Sequence, residues 1–542
     1  MGLKREISKS NMLFLSIGSI VGSGWLFGSY YTAQIAGPAA ILSWILGGFF
    51  ITIIALPLAE LGTMFPLAGG SVTFSIVSHG KMCGSIFSWI TWLWSMVVAP
   101  IEVQAILQYA SNYIPNVINT HSQTHSLTTT GFFLAAVLMI VLCAVNMVGV
   151  KLMANANRFI VLWKLAIPFL IALLLLTYRP HLSNLTAYGG FAPQGLIGVL
   201  NAISTGGVAL SFFGFQTAIF LAGEAKNPQK SIPFSLFGSL LISTVLYVVL
   251  QLGFVLSVNP ASLQNGWSKI IFDGAAGPFA GIFVSLGLVW AAKILYFDAI
   301  LSPFGTAVGY VAASSRILYS MSLQDDAPRV LSKTNRFSIP WLAILVNFVL
   351  GMLFFLPFSG WQAMAAFISA AMVLSLVPGP VCLLVFRKKF PTHTRPFALP
   401  YASILCFAAF YLCSLLLHWT GWDTVKKLEI AVGIGIGIFL VSYFLNPQKN
   451  KEPLHVKSSL WLFLYLITAG VFSYLGEFGG GIGVLSMKVD FLLLFVSSVI
   501  IFIFAQKTML EAEKYKELLD VSETQLNEKN DSSFYKTREA AS

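Results

Sequence analysis

Long apolar runs recur along almost the whole chain, and they limit its possible folds more than any other feature. A bilayer core about 30 Å thick needs about 20 apolar residues per helix. Because 57% of the 542 residues are hydrophobic and only 10% are charged, a soluble core of this size cannot bury them. The sequence therefore predicts an all-α polytopic membrane protein with about fourteen spans, at roughly 12–32, 39–62, 84–109, 130–150, 158–178, 196–223, 234–258, 280–315, 341–357, 362–386, 400–419, 428–445, 458–476 and 489–506.

The net charge of +11 is divided unevenly between alternate loops. If the N-terminus is cytoplasmic, the loops on that side carry 19 Lys and Arg residues and the opposite loops carry 5. This asymmetry follows the positive-inside rule and predicts a multi-pass protein with both termini in the cytoplasm. Membrane insertion therefore explains the basic charge, and no nucleic-acid partner is expected.

The composition divides the chain into a transmembrane domain, residues 1–506, and a polar tail, residues 507–542. The tail is interpreted as a solvated cytoplasmic helix with a disordered end, with a regulatory or partner-binding segment as the alternative. The five cysteines lack metal-ligand spacing, so neither a metal site nor another cofactor is predicted. The sequence does not indicate an oligomeric state.

Glycines interrupt two of the predicted spans at corresponding places. The first span contains Gly18, Gly22, Gly24 and Gly28, and the sixth contains Gly206, Gly207 and Gly214. Broken helices persist in a membrane only where they are buried in protein or line a cavity. Glycine breaks at matching positions of two halves point to an inverted-repeat transporter, whereas close packing of small residues is the alternative interpretation.

Several ordered motifs resemble the amino acid–polyamine–organocation (APC) transporters. They are IGSIVGSGWLFG (Ile17–Gly28), AELGTMFPLAGGSVTF (Ala59–Phe74), FFGFQTAIFLAGEAKNPQKSIP (Phe212–Pro233), SSRILYSMSLQDDAPRVLSKTNRFSIP (Ser314–Pro340) and RPFALP (Arg395–Pro400). Gln216 departs from the pattern, because many members have Glu there. Through YFDAILSPFGTAVGY (Tyr296–Tyr310) the chain is most similar to bacterial permeases of the aspartate–proton symporter kind.

This resemblance implies a five-plus-five inverted-repeat fold of the LeuT-like type in the bacterial cytoplasmic (inner) membrane. The repeats would cover about 11–178 and 196–386, and about four additional helices would occupy 400–506. The implied function is secondary active uptake of an amino acid, by proton symport with alternating access. An exchanger of amino acids or amines is the alternative, followed by a nutrient sensor that does not transport.

An amino acid presents one carboxylate and one ammonium group. The N-terminus of a half-helix suits the carboxylate, which we assign to the amides of Gly22, Ser23 and Gly24. Half-helix carbonyls suit the ammonium, which we assign to the region of Ile20 and Val21 and, in the sixth span, to Leu210–Phe213. The remaining predicted contacts, including those that select the substrate side chain, are Leu210, Phe212, Phe213, Gly214, Phe215 and Gln216.

Four charged residues lie inside predicted spans, namely Glu102, Lys164, Lys293 and Asp298. Intramembrane charges face protein or water, so each is a functional candidate. By resemblance, Lys164 matches a fifth-helix lysine of proton-coupled members, where the ammonium takes the place of a sodium ion against the first helix. Because burial disfavours its charged form, Lys164 is predicted to gain and lose the coupled proton, with a static brace as the alternative.

Lys293 and Asp298 are five residues apart, so on one helix they point about 140° from each other. Either Lys293 is therefore predicted to pair with a carboxylate of another helix, such as Glu102, or one of Lys293 and Asp298 is predicted to line the pathway. Glu60 and Glu224 are expected to be solvated at cytoplasmic helix ends, with gating contacts to basic loops as the alternative. Motifs of hydrolases and phosphate-binding enzymes are not found, so the protein is not predicted to be an enzyme.

Overall fold

Helices make up the regular structure of this protein in the computed structural model. The structure describes residues 5, 7–66, 70–119, 125–148, 150–270, 277–337, 339–358, 360–445 and 453–511, without the side chains of residues 70, 71, 148 and 150–159. Within these ranges the only β-structure is two isolated bridges, Ile7 with Ala225 and Ile118 with Leu127. The prediction of an all-α protein is confirmed for the described residues, whereas the predicted tail lies outside them from residue 512 onward.

Twenty α-helices follow one another in the described part of the chain. The first ten are α1 Lys9–Ile20, α2 Gly24–Ala36, α3 Ala40–Met64, α4 Gly70–His79, α5 Lys81–Ala110, α6 Thr129–Val148, α7 Val150–Thr177, α8 Gly195–Thr205, α9 Val208–Ser211 and α10 Thr217–Phe220. The others are α11 Pro228–Ser257, α12 Pro278–Ser285, α13 Val289–Leu323, α14 Trp341–Phe354, α15 Trp361–Leu376, α16 Pro378–Lys389, α17 Ala402–His418, α18 Trp422–Leu445, α19 Val456–Leu475 and α20 Met487–Lys507.

Ten helical stretches of the described chain are long and apolar enough to cross a membrane. Every one of the fourteen predicted blocks contains helix, but α8, α14 and α17 are shorter apolar helices of 10–17 residues. Helix α8 is short because the sixth span breaks after Thr205. The structure thus supports a helical membrane protein with about ten spans, and the count of fourteen stays a prediction.

The helices separate into a buried centre and an apolar periphery. The most apolar stretch of α5 is entirely buried, and that of α15 and α16 is almost so. By contrast, α6, α7 and α20 expose large apolar side chains such as Phe133, Phe169 and Leu492. Helices α17 and α18 pack on α3 and α15, outside the centre that α1, α2, α5, α8–α10 and α13 form.

Both ends of the described chain lie at the same end of the bundle. The backbone N–H of Ile7 donates to the carbonyl of Glu224, just before α11. The N–H of Leu510 donates to the carbonyl of Ser78, at the end of α4. These two places are neighbours, because α10, which precedes Glu224, packs on α4.

Candidate functional site

The first span is interrupted between α1 and α2. Helix α1 ends at Ile20, α2 begins at Gly24, and Val21–Ser23 lie outside both helices. The N–H of Gly22 donates to the Ile20 carbonyl at 3.1 Å, which is a tight turn rather than a helical bond. The break exposes backbone amides at the N-terminus of α2, a place that favours anions.

The sixth span is interrupted after α8. Gly207 has φ +89°, in the left-handed region that glycine adopts without strain, and α9 begins directly after it. A short 3₁₀ helix, Phe213–Gln216, follows before α10. The glycines of the sixth span therefore end one half-helix and permit an irregular segment, as the sequence predicts.

The two interruptions face each other closely. A Cβ atom on Gly24 would overlap the Ser211 hydroxyl oxygen, and one on Gly214 would overlap the backbone of Ser19 and Ile20. Only glycine permits this approach, so these residues are required by contact between the broken helices. The structure therefore brings the interruptions of the first and sixth spans together, a contact that fits both the site interpretation and the alternative of close packing.

The carboxylate of Glu102 lies at the N-terminus of α2. Both of its oxygens accept the backbone N–H of Ser23, at 3.2 Å for Oε1 and 2.9 Å for Oε2. Glu102 comes from α5 and is only 5% exposed. A Cβ atom on Gly22 would lie 2.5 Å from Glu102 Oε1, so the carboxylate fits against the glycine break. A carboxylate of the protein thus holds one of the amides that we assigned to a substrate carboxylate.

The ammonium group of Lys164 lies against α1, as the resemblance implies. Its Nζ donates to Thr306 Oγ1 at 2.6 Å and to the carbonyl of Gly18 at 3.3 Å. The side chain is 2% exposed and interacts electrostatically with Glu102 and Asp298. Lys164 therefore connects α7 with the end of the first half-helix and with α13.

A small cavity of about 30 Å³ lies between the two interruptions. The predicted residues that line it are Ile20, Gly22, Gly24, Glu102, Leu210, Phe213 and Gly214. Phe212 instead packs between the rings of Trp44 and Tyr247, in the core. A cavity of this size holds water but not an amino acid, so it must widen to admit a substrate.

Other predicted backbone and hydroxyl contacts already have partners within the protein. The carbonyl of Ile20 accepts the Tyr247 hydroxyl at 3.3 Å, and the hydroxyl of Ser23 accepts the Trp361 indole N–H at 2.9 Å. Val21 is completely buried. Gln216 is 4% exposed, and its Nε2 has no hydrogen-bond partner among the described residues. Gln216 therefore retains an amide donor for another group.

The remaining intramembrane charges lie on opposite sides of α13. Asp298 is fully buried and accepts the Trp163 indole N–H at 2.8 Å, whereas Lys293 is exposed on the outside of the bundle. The predicted divergence of these two residues is confirmed. The predicted pairing of Lys293 with Glu102 is wrong, because α13 turns Lys293 away from α5 and Glu102 binds the Ser23 amide.

The sequence of this chain matches a family of known proteins. A family model described as "Amino acid permease" matches residues 11–450. The chain belongs to the amino acid permease family. This permease is therefore a multi-pass membrane protein of a family of amino acid transporters, and not an enzyme.

Curated relatives agree with this membership over nearly the full chain. The glutamate/serine transporter AimA of Bacillus subtilis (strain 168) is 35% identical over 531 residues, covering 97% of the permease and 98% of that relative. The aspartate-proton symporter of the same organism is 33% identical over 511 residues, covering 93% and 96%. The branched-chain amino acid permease BcaP, also from B. subtilis, is 26% identical over 464 residues, covering 83% and 94%.

Sequence reasoning missed several residues of the candidate site in this permease. Thr306, Tyr310 and Trp94 line the cavity, and Trp361 and Tyr247 bind the first interruption. A signal was available for three of them. Trp94 precedes Glu102 by eight residues and Thr306 precedes Tyr310 by four, spacings that place each pair on one helix face.

Glu60 of the permease is not solvated, contrary to expectation. Its carboxylate is completely buried and accepts Arg387 Nε at 2.8 Å and Nη2 at 2.6 Å, together with the N–H of Leu399 at 2.7 Å. Arg395 Nε lies 3.7 Å away. This cluster ties α3 to α16 and to the segment before α17, because a buried carboxylate must be paired.

Proposed function

We propose that this permease takes up an amino acid together with a proton, by alternating access. The observation that carries the proposal is the contact of the Lys164 ammonium with the Gly18 carbonyl and Thr306, at the end of a broken helix. A lysine enclosed in protein loses hydration of its charged form, so it exchanges protons more readily than an exposed lysine. Proton loss from Lys164 would release α1 from α7 and α13.

The substrate is proposed to bind at the facing interruptions. Its carboxylate would bind the amides of Gly22, Ser23 and Gly24, and its ammonium the carbonyls around Ile20, Val21 and Leu210–Phe213. Because Glu102 holds the Ser23 amide, the substrate carboxylate must displace it. Two carboxylates at one half-helix N-terminus repel each other, so protonation of Glu102 would favour the exchange.

The substrate class proposed for this permease is acidic or small polar amino acids. Two similar relatives are a glutamate/serine transporter and an aspartate-proton symporter. Lys164 contributes positive charge beside the cavity, and Gln216 retains an unpaired amide donor. Such a donor suits the carboxylate or hydroxyl of a substrate side chain.

The domain organisation is also a proposal. We assign residues 11–178 and 196–386 to inverted repeats and 400–506 to additional helices. The repeat assignment is supported by packing between helices at equal positions of the halves, α3 with α11 and α5 with α13. The nearness of Ile7 and Leu510 to one end of the bundle supports placing both termini in the cytoplasm of a bacterial cell.

Uptake into proteoliposomes tests this function. Labelled glutamate, aspartate and serine are offered with an inwardly directed proton gradient and without internal amino acid. Accumulation that disappears when a protonophore collapses the gradient supports symport. Uptake that requires internal amino acid identifies an exchanger instead, and binding without uptake identifies a sensor.

A further inference from the structure

Three polar residues form a buried line along one face of α13. Asp298, Ser302 and Thr306 are four residues apart, so each lies about 6 Å further along the same face. Asp298 and Ser302 are fully buried, and Thr306 is 6% exposed. We call these three residues the α13 polar line.

Two atoms of the α13 polar line lack partners in the described part of the chain. Asp298 Oδ1 accepts the Trp163 indole N–H, but Oδ2 has no hydrogen-bond partner. The hydroxyl of Ser302 has none either. Burying such atoms unpaired is unfavourable, and proteins usually satisfy them with ordered water. The spacing of one helical turn between Asp298 and Ser302 suits a bridging water.

The α13 polar line ends at the ammonium group of Lys164. Lys164 Nζ donates to Thr306 Oγ1, and Thr306 Oγ1 donates to the carbonyl of Ser302 at 3.2 Å. Asp298 of α13 also interacts electrostatically with Lys164 of α7. The line therefore joins a buried carboxylate to the group proposed to carry the coupled proton.

Few ionisable groups face Asp298 from the packed helices. Lys164 comes from α7, and Tyr109 comes from α5, whose Glu102 lies nearer the helix break. The described sequences of α6, α12 and α14 contain no charged residue. Asp298 lies about two and a half turns from the beginning of α13. Under the proposed topology, that end of α13 faces the outside of the cell.

We infer that the α13 polar line conducts protons between the outer solution and Lys164. The inference rests on the proposed proton symport. Protonated Asp298 transfers its proton to a bridging water, which passes a proton to the Ser302 hydroxyl. A second water carries a proton from Ser302 Oγ to Thr306 Oγ1, and the Thr306 hydroxyl, turned away from the Ser302 carbonyl, gives its own proton to neutral Lys164 Nζ. Lys164 becomes the ammonium, Asp298 becomes the carboxylate, and the outer solution protonates Asp298 again.

The test compares Asp298→Asn with Lys293→Gln, a charge removal on the exposed face of the same helix. Proteoliposomes that contain a pH-sensitive dye report proton entry, and labelled substrate reports uptake and exchange. Asp298→Asn should slow gradient-driven uptake and proton entry by about 10²-fold, the smallest contribution typical of a positioned proton-transfer group. Exchange of substrate for substrate, which needs no net proton movement, should keep the wild-type rate. Lys293→Gln should match the wild type in every assay.

Ser302→Ala provides a second variant that preserves the Asp298–Trp163 hydrogen bond. It should slow proton entry by less than Asp298→Asn does, because water can replace the lost hydroxyl, and it should leave exchange unchanged. Proton entry at the wild-type rate in Asp298→Asn would overturn the inference while leaving symport intact. Equal losses of exchange and proton entry would also overturn it, since they indicate a structural role. If wild-type protein moves no protons with substrate, symport itself fails and the inference falls with it.

Discussion

Glu102 of α5 binds the backbone N–H of Ser23 with both carboxylate oxygens, at the N-terminus of the second half of the first span. The same N–H is one of the amides proposed to bind the substrate carboxylate. The protein therefore places its own anion at the position proposed for that carboxylate. In this proposal, substrate binding depends directly on the charge of Glu102, because both carboxylates would bind the same amide.

Glu102→Gln should remove this competition while nearly preserving side-chain size. A hydrogen bond to a charged group contributes about 1.5–3 kcal/mol, so a charged Glu102 should weaken substrate binding by about tenfold or more. Wild-type affinity should fall as the pH rises, because deprotonation charges Glu102. In Glu102→Gln the affinity should be the same at acidic and alkaline pH, as measured by equilibrium binding of labelled substrate. A variant that retains the wild-type pH dependence would assign that dependence to another group.

Gly22→Ala should abolish transport although the protein still folds. The added Cβ would lie 2.5 Å from Glu102 Oε1 and 3.2 Å from Thr306 Oγ1, so it would displace both groups. Gly309→Ala on α13 is the matched control, because no atom beyond its own stretch of helix lies within 4 Å of its added Cβ. The control should transport normally, and alanine in place of a helical glycine adds about 1 kcal/mol of helix propensity. Normal substrate binding by Gly22→Ala would argue against a site at the first interruption.

Lys164→Ala should lose gradient-driven uptake. Its Nζ holds the Gly18 carbonyl and Thr306, and alanine has neither the proton nor the contacts. We expect accumulation to fall to the level of protein-free liposomes, whereas substrate binding to detergent-solubilised protein persists. The readout is labelled substrate at equal external concentration with and without a proton gradient. Proton-coupled accumulation that survives in Lys164→Ala would exclude this lysine as the coupling group.

Glu60→Gln should destabilise the fold rather than alter the substrate site. Removing one member of a buried ion pair costs about 3–5 kcal/mol, and Glu60 pairs with Arg387 while fully buried. Arg329→Gln serves as the control, because Arg329 pairs with Asp325 on the surface. Thermal unfolding in detergent should show a lower midpoint for Glu60→Gln than for the wild type. The midpoint of the control variant should hardly change. Equal midpoints would mean that the α3–α16 connection contributes little stability.

The fold and part of the site were predictable because their causes are local. Glycine permits the backbone at Gly207 and the approach at Gly24, and both effects leave a visible sequence signature. The divergence of Lys293 and Asp298 follows from helical geometry alone. Lys164 was located through family resemblance, and its contact with Gly18 agrees with that expectation.

The contacts that the sequence did not predict join helices that are far apart in the chain and meet only after folding. Glu102 reaches Ser23 across 79 residues of sequence, and Trp361 reaches the same serine across 338. No periodicity within α5 or α15 specifies these partners. The burial of Glu60 was missed for the same reason, since its partners Arg387 and Leu399 follow more than 320 residues later.

The most direct test of the account counts the protons taken up when substrate binds. Isothermal titration of purified wild-type protein with glutamate or aspartate, in two buffers of different ionisation enthalpy, gives this number. The account predicts net proton uptake on binding at neutral to alkaline pH in the wild type, and its loss in Glu102→Gln. Substrate binding without proton uptake in the wild type would contradict the proposed displacement of a charged Glu102 from the Ser23 amide.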